Sequence, residues 1–344
     1  MVRERPARKP AKLRKGNADI IRSESDPKMR ILFVTANRVG DAVLSSGLLA
    51  HFADTYPDAR ITIAAGPAAA TLFRNAPCLE RLIVLEKIRW SFHWLRLWSH
   101  CITTRWDIVI DLRRSALAYL LFAGKRYVIP KPRREMHRVE LLATTIPGSG
   151  NSMPPALWPD NVGTELAEYS PIVAIGPAAN WVGKQWRGDR FAALAQRLVA
   201  EDGLYPGGRI AVFAAASERN QADPVLTALP KERVLDLVGV GDLAAVGGYL
   251  RRCTFFVGND SGLMHMAAAA GIPTLGLFGP SRTEHYAPWG ENCDFVRTPE
   301  SYDELVGAPG YDHRTTGTLM DGLSIDAVMA ACTSLAEKTR QSAE

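Results

Sequence analysis

Asp260, Ser261 and Gly262 stand between two runs of different period in CTFFVGNDSGLMHMAAAAGIPTLGLFG, residues 253–279. Residues 254–257 are β-branched and aromatic, the composition of a strand. From Ser261 onward Leu263, Met266, Ala267 and Ala270 fall at i, i+3, i+4 and i+7, one apolar helix stripe. Gly271 is placed to stop that helix, Pro273 follows, and residues 274–278 read as the next strand. A β-α-β unit puts the end of its first strand and the start of its helix at one crevice. A helix start offers free N–H groups and a positive dipole end, which together favour an anion such as phosphate. Gly262 allows a ligand close to the backbone, and His265 lies one turn after Ser261 on the same face. The competing reading is an ordinary Asp or Ser cap with a surface histidine.

Further candidates sit at equivalent junctions. In GPAANWVGKQW (176–186), Lys184 could neutralise a pyrophosphate, or be a solvated surface lysine. In FAAASERNQ (213–221), Glu218 could accept hydrogen bonds from ribose hydroxyls, or simply complement a helix dipole. Lys184, Glu218 and the Asp260–Ser261 pair all follow strands, so in a parallel sheet they share one edge. In NRVGDAVLSS (37–46), Arg38, Gly40 and Asp41 occupy the first strand–helix turn and would face the cleft from the other, acceptor side. Asp41 reads either as a helix cap or as a carboxylate base for a hydroxyl substrate. GVGDLA (239–244) matches a dinucleotide fingerprint, but it comes late in its half, whereas that fingerprint opens a domain. KIRWSFHWLRLW (87–98) is basic and aromatic; helical spacing groups Trp90, Trp94, Leu97 and Trp98 as a packed face, with a membrane interface as the alternative. No D-x-D occurs, so no metal ligand set is apparent.

The elements that must hold these residues alternate regularly. Residues 29–36, 59–65, 82–85 and 106–112 read as strands, with a helix over 42–56 ended by Pro57. A loop-rich passage at 146–163 interrupts the rhythm. The pattern then restarts with strands at 171–175, 209–213 and 234–237, a helix from Phe191, and the 253–279 unit. Such alternation predicts α/β architecture with parallel sheets covered on both faces. The expected organisation is a disordered basic tail (1–28), a Rossmann-like domain (29–155), a linker (156–170) and a second Rossmann-like domain (171–344), with the ligand site in the cleft between them.

The chain has 344 residues, 47% hydrophobic and 22% charged, a globular balance. Residues 1–28 hold nine Lys/Arg and four Asp/Glu, an excess of five equal to the whole chain's net charge of +5. The basic character therefore belongs to the tail, which argues against a nucleic-acid-binding domain; its roles would be a solvated extension or a weak attraction to anionic lipid heads. No apolar run approaches the roughly 18 residues of a spanning helix, and the basic start leads into no secretory h-region. Five scattered cysteines give no disulfide framework or zinc site and suit a reducing cytoplasm.

Together NRVGDAVLSS, GPAANWVGKQW followed by RF, FAAASERNQ and above all FVGNDSGLMHMAAAAGIPTLGLFGP resemble glycosyltransferase family 9, the heptosyltransferases, over about residues 29–335. The resemblance implies a GT-B fold and inverting transfer of a sugar, usually heptose from an ADP-linked donor, onto a lipopolysaccharide-type acceptor. The expectation is no metal or other cofactor, a nucleotide-sugar and a lipid-linked or glycan acceptor as partners, and a cytoplasmic place, with the inner face of a bacterial inner membrane as an option. By the same resemblance Asp41 matches the base, Lys184 a diphosphate contact, Glu218 a ribose contact, and Asp260, Ser261, Gly262 and Leu263 with His265 the donor loop. The residues themselves leave two alternatives open: a GT-B-like nucleotide-sugar epimerase, and a non-catalytic nucleotide-sugar-binding subunit.

Overall fold

Strands covered on both faces need continuous apolar runs, and ILFV at 31–34 is such a run, completely buried at the centre of the first sheet. In the computed structural model, which describes residues 28–131, 135–148 and 152–342, this first sheet holds β1 (Arg30–Val34), β2 (Arg60–Ala65), β3 (Leu79–Val84), β4 (Trp106–Asp111) and β5 (Ala123–Val128). Their order is β3-β2-β1-β4-β5, every pair parallel. Its helices are α1 (Val39–Thr55), α2 (Pro67–Ala70), α3 (Phe92–Cys101), α4 (Leu117–Leu120) and α5 (Arg138–Ala143).

The second sheet repeats the plan with β6 (Ile172–Gly176), β7 (Arg209–Val212), β8 (Val234–Asp236), β9 (Phe255–Asn259), β10 (Thr274–Phe278) and β11 (Cys293–Arg297). The order is β11-β10-β9-β6-β7-β8, again all parallel. Its helices are α6 (Gly188–Val199), α7 (Arg219–Leu226), α8 (Leu243–Leu250), α9 (Gly262–Ala269), α10 (Thr283–Tyr286), α11 (Tyr302–Val306) and α12 (Ile325–Gln341). In both sheets the first strand of the domain lies beside the fourth, and the connections leave in opposite directions. That is the switch point at which doubly wound sheets bind ligands. The loops after β1 and β4, and after β6 and β9, therefore open into the cleft.

The Rossmann-like α/β architecture is as expected, with local corrections. The edge strands β5 and β11 escape the reading because AGKRYV and CDFVR expose much of their length and lack an apolar run. The helix α9 does not bury a narrow stripe. Met264, His265, Met266 and Ala267 are buried, while Leu263 and Ala270 are half-buried, because a second helix covers the expected outer face. In the Trp-rich segment Trp90 stands apart from Trp94 and Trp98: it precedes α3 with φ +57° and is 78% exposed. The basic tail lies outside the described residues save Lys28.

The passage between the domains is packed. The carbonyls of Met153 and Pro154 rest on Gly47 of α1, and Ala156 donates its N–H to Ser46 Oγ (2.8 Å). Arg251, the C-cap of α8, donates to the Leu157 carbonyl, and Asp160 donates its N–H to the Ala244 carbonyl. Arg74 of the first domain bridges Asp160 and Asp242. One continuous apolar cluster consequently runs through both domains, from Phe33 and Leu48 to Phe256 and Met264.

The seat on Gly47 gives a prediction whose sign is informative. In a free helix Gly→Ala stabilises by about 1 kcal/mol. Here the added methyl would collide with two carbonyl oxygens. Gly47→Ala is expected to destabilise the protein by about 1–3 kcal/mol, read by denaturant unfolding; a gain in stability would show that the passage does not rest on α1.

Candidate active site

The loop from β9 to α9 supplies the donor-side wall. Asn259, fully buried at the end of β9, accepts the Trp186 N–H (3.0 Å) and donates to the Pro177 carbonyl (2.7 Å), locking the loops after β6 and β9 together. Asp260 follows and does not cap α9. Its carboxylate accepts from Lys184 Nζ (2.5 Å) and from Ser281 Oγ (2.6 Å), so Lys184 is a paired, quarter-exposed cation held at the site. Ser261 holds the N-cap position, yet its hydroxyl makes no capping bond and is buried without a partner among the described residues. His265, one turn on, is 4% exposed with Nδ1 also unpartnered. Leu263 packs against the end of β6 at Gly176 and closes the base of this wall.

The opposite wall is the start of α1. A Cβ on Gly262 would lie 2.7 Å from Val39 Cβ, and one on Gly40 would lie 3.0 Å from His265 Cδ2. The two helix starts thus meet with no side-chain layer between them. Gly40 serves this approach, and Arg38, the exposed N-cap of α1, lies just outside it. Asp41 stands in the first turn of α1, part-exposed, with Arg138 Nε 3.8 Å from its carboxylate.

Several polar groups that the sequence does not single out complete the site. His137 caps α5 by accepting the Val139 N–H at Nδ1 and reaches across to the Ala287 carbonyl at Nε2 (3.0 Å). His285 returns the contact to the Met136 carbonyl (3.0 Å), and the His137 ring lies 4.7 Å from that of Trp289. This clasp presents Arg138 to Asp41. Tyr286 is pushed above its ordinary value, first by burial and then by the Asp41 charge, with Asp260 acting the same way. Burial lowers His137 and drives His265 down to about 4, so both rings are neutral near pH 7.

Asp41, Lys184, Asp260, Ser261, Gly262 and His265 are therefore gathered at one cleft, as expected from their junctions. Glu218 lies in the turn between β7 and α7, on the same sheet edge, but its carboxylate accepts the Ala215 N–H (3.1 Å) and caps its own turn. His265 is a buried residue and no surface histidine, because α1 covers it. The GVGDLA stretch is a turn and a helix cap: Asp242 accepts the N–H groups of Ala244 and Ala245. Among the described residues no group of three or more His, Cys, Asp or Glu side chains is arranged to hold a metal, and no helix is long and apolar enough to cross a membrane.

Two Rossmann-like domains whose switch points face one cleft define a GT-B fold, and the comparisons agree. A glycosyl transferase family 9 structure from Veillonella parvula superposes with a TM-score of 0.71 at 19% identity, covering 89% of this chain and 97% of that one. The E. coli heptosyltransferase WaaC, solved with ADP-2-deoxy-2-fluoro heptose, gives 0.65 at 19% identity over 89% and 99% of the two chains. Residues 159–306 match the model of glycosyltransferase family 9 (heptosyltransferase). The lipooligosaccharide heptosyltransferase 2 of Haemophilus influenzae is 31% identical over 147 residues, 42% of this chain and 40% of that protein. The match spans less than half the length of this curated relative. The resemblance to glycosyltransferase family 9 is thus borne out: fold likeness extends over both domains, and the family match centres on the second.

The low value of His265 makes a pH prediction. Its folded value, about 4, lies below the ordinary ~6.5 of an unfolded histidine. As pH falls, the unfolded chain takes up this proton first, so the contribution is complete above about pH 6.5 and is lost between there and about pH 4. The loss should be on the order of 3 kcal/mol over that window. His265→Gln, in which His137 and the carboxylates still titrate, should show a correspondingly shallower fall in urea-unfolding free energy from pH 7 to 4.5. Equal slopes would place His265 in contact with solvent.

Proposed function

We propose that this protein is an inverting glycosyltransferase that moves a heptose from an ADP-linked donor onto a lipopolysaccharide-type acceptor at the cytoplasmic face of the membrane. The observation that carries the reading is the meeting of two helix starts across the cleft, a carboxylate on one side and a held ammonium on the other. The relatives' names support heptose and lipopolysaccharide or lipooligosaccharide, and the ligand of the WaaC structure supports the ADP-linked donor.

In this reading the donor diphosphate lies at the start of α9. The free N–H groups there, the Ser261 hydroxyl and the remaining Nζ–H bonds of Lys184 provide donors. The acceptor hydroxyl approaches from the α1 side. Asp41 takes its proton as the oxygen attacks the anomeric carbon from the face opposite the diphosphate. The new C–O bond forms as the bond to the diphosphate breaks, and the electron pair leaves with ADP. Negative charge grows on the leaving group where N–H and ammonium donors are already oriented, so little reorganisation is needed at the moment of reaction.

Asp41→Asn keeps the size of the side chain and removes the proton acceptor. The chemical step is expected to fall by about 10²–10⁴ with donor affinity retained, read by single-turnover transfer to a soluble acceptor analogue. The assay should run undiminished in excess EDTA, since no step is assigned to a metal. Wild-type rates from the variant would move the base elsewhere, and sugar isomerisation without transfer would replace the reaction class.

Lys184→Ala removes a charge-assisted contact. Affinity for ADP should weaken by roughly ten- to a hundredfold, equivalent to about 1.5–3 kcal/mol. The melting temperature should fall too, because Asp260 is left buried without its cation. Calorimetry with unchanged ADP affinity would take Lys184 out of the donor site.

A further inference from the structure

Away from the cleft, the first domain carries an apolar surface that its own core does not use. Trp90, Phe92, Leu95, Tyr119, Leu120 and Phe122 are 54–78% exposed. Their two segments adjoin, since Trp98 Nε1 on α3 donates to the Leu120 carbonyl (3.3 Å). The core side of α3 is already served by His93, Leu97 and Cys101. An outer helix face of this kind is ordinarily polar, and contiguous exposed apolar patches mark interaction sites. Local bonds fix the side chains outward: Arg126 donates to the carbonyls of Ala118 and Leu121 and so holds the 119–122 turn. Trp90 and Ser91 both take positive φ, +57° and +62°, a costly conformation for a bulky residue.

The charge along this segment is predominantly positive. Between positions 81 and 106 there are five Lys/Arg and one acid, Glu86. Lys87, Arg89, Arg96 and Lys125 border the apolar patch with no ion-pair partner among the described residues. Behind α3, against the edge strand β3, Arg81, His93, Arg96 and His100, with Glu86 as the one acid, line a cavity of about 420 Å³. Apolar side chains flanked in the chain by unpaired cations are complementary to a surface that is apolar below and anionic above.

We propose that this face seats on an anionic lipid bilayer, with Trp90, Phe92, Leu95 and the 119–122 side chains entering the headgroup–acyl boundary and the bordering cations meeting lipid phosphates. The face is wired to the cleft. Trp94 on the same helix carries the Arg113 guanidinium over its ring (4.9 Å), and Arg113 Nη1 donates to Asn37 Oδ1 (2.6 Å), four residues before Asp41. Seating would bring the acceptor side of the cleft to the membrane surface, and only this last consequence rests on the function proposed above.

The test uses the full chain with vesicles of phosphatidylcholine alone or enriched in phosphatidylglycerol, at low and high salt. High salt screens long-range attraction by the basic tail but leaves apolar insertion. The wild type should cosediment with anionic vesicles and retain binding at high salt. Vesicles brominated in the acyl chains should quench its tryptophan fluorescence. Trp90→Phe should bind equally and lose much of the quenching. A Trp90→Ser, Phe92→Ser, Leu95→Ser triple variant should bind at least about tenfold more weakly, with an unchanged melting temperature and unchanged turnover on a water-soluble acceptor. Binding abolished by high salt, undiminished in the triple variant, or absent in the wild type would overturn the proposal. So would a dimer in sedimentation that the triple variant dissociates, which would make the occupant a second copy of the chain. Loss of turnover on the soluble acceptor in the wild type would count against the proposed reaction and leave the vesicle result standing.

Discussion

The first turns of α1 and α9 meet through glycine, with Gly262 under Val39 and Gly40 against His265. Each helix start carries roughly half a positive charge, so the approach brings two like dipole ends together in a partly desolvated cleft. Asp41 lies in the first turn of one helix and Asp260 immediately before the other. Their carboxylates offset the two positive ends without filling the space between them. A diphosphate in the same place would meet the field from both sides. A side chain at 262 would collide with Val39 and push the two helix starts apart, and one at 40 would press on the His265 ring.

That approach needs the domains held in one relation. Residues 153–160 bind α1 of the first domain at one end and α8 of the second at the other. Arg74 reaches Asp160 and Asp242, while His137 and His285 exchange backbone contacts across the cleft's far rim. The clasp does double service. It ties the two domains together at the start of α5, the helix that carries Arg138 beside Asp41.

Much of this is legible in the chain, for identifiable reasons. Buried parallel strands must be apolar throughout, so β1, β4, β6 and β9 announce themselves, and the residues after them are necessarily at one edge. Asp41 and Asp260 are found by that argument alone. What stays ambiguous is whatever depends on contacts distant in the chain. The sequence leaves His265 open between a donor-loop residue and a surface histidine because the helix covering it lies more than two hundred positions away. The Lys184–Asp260 pair spans 76 residues, and nothing local distinguishes a paired lysine from a solvated one. The edge strands β5 and β11 need apolar residues on only part of their surface, and so lose the signal that marks the central strands. Glu218 illustrates the reverse: its position is read correctly, while its carboxylate is engaged with its own turn.

The site's polar groups divide into those already satisfied and those left open, and the division follows the cleft. Asn259 spends both ends of its amide on the backbone, and Asp260 is occupied by Lys184 and Ser281. These groups fix the loops and leave no buried charge alone. Ser261 Oγ and His265 Nδ1 are buried and unpartnered one helical turn apart, a cost of about 1–3 kcal/mol for each orphaned group. A fold that satisfies the neighbouring carboxylate twice over has the means to satisfy a hydroxyl and does not. These two orphans lie at the start of α9, where the helix N–H groups are also free, so hydrogen-bonding capacity is left unspent at the place where an anionic ligand would use it. Asp41 is open in the same sense. At 3.8 Å, Arg138 orients the carboxylate without binding it tightly, leaving oxygen lone pairs free toward the cleft.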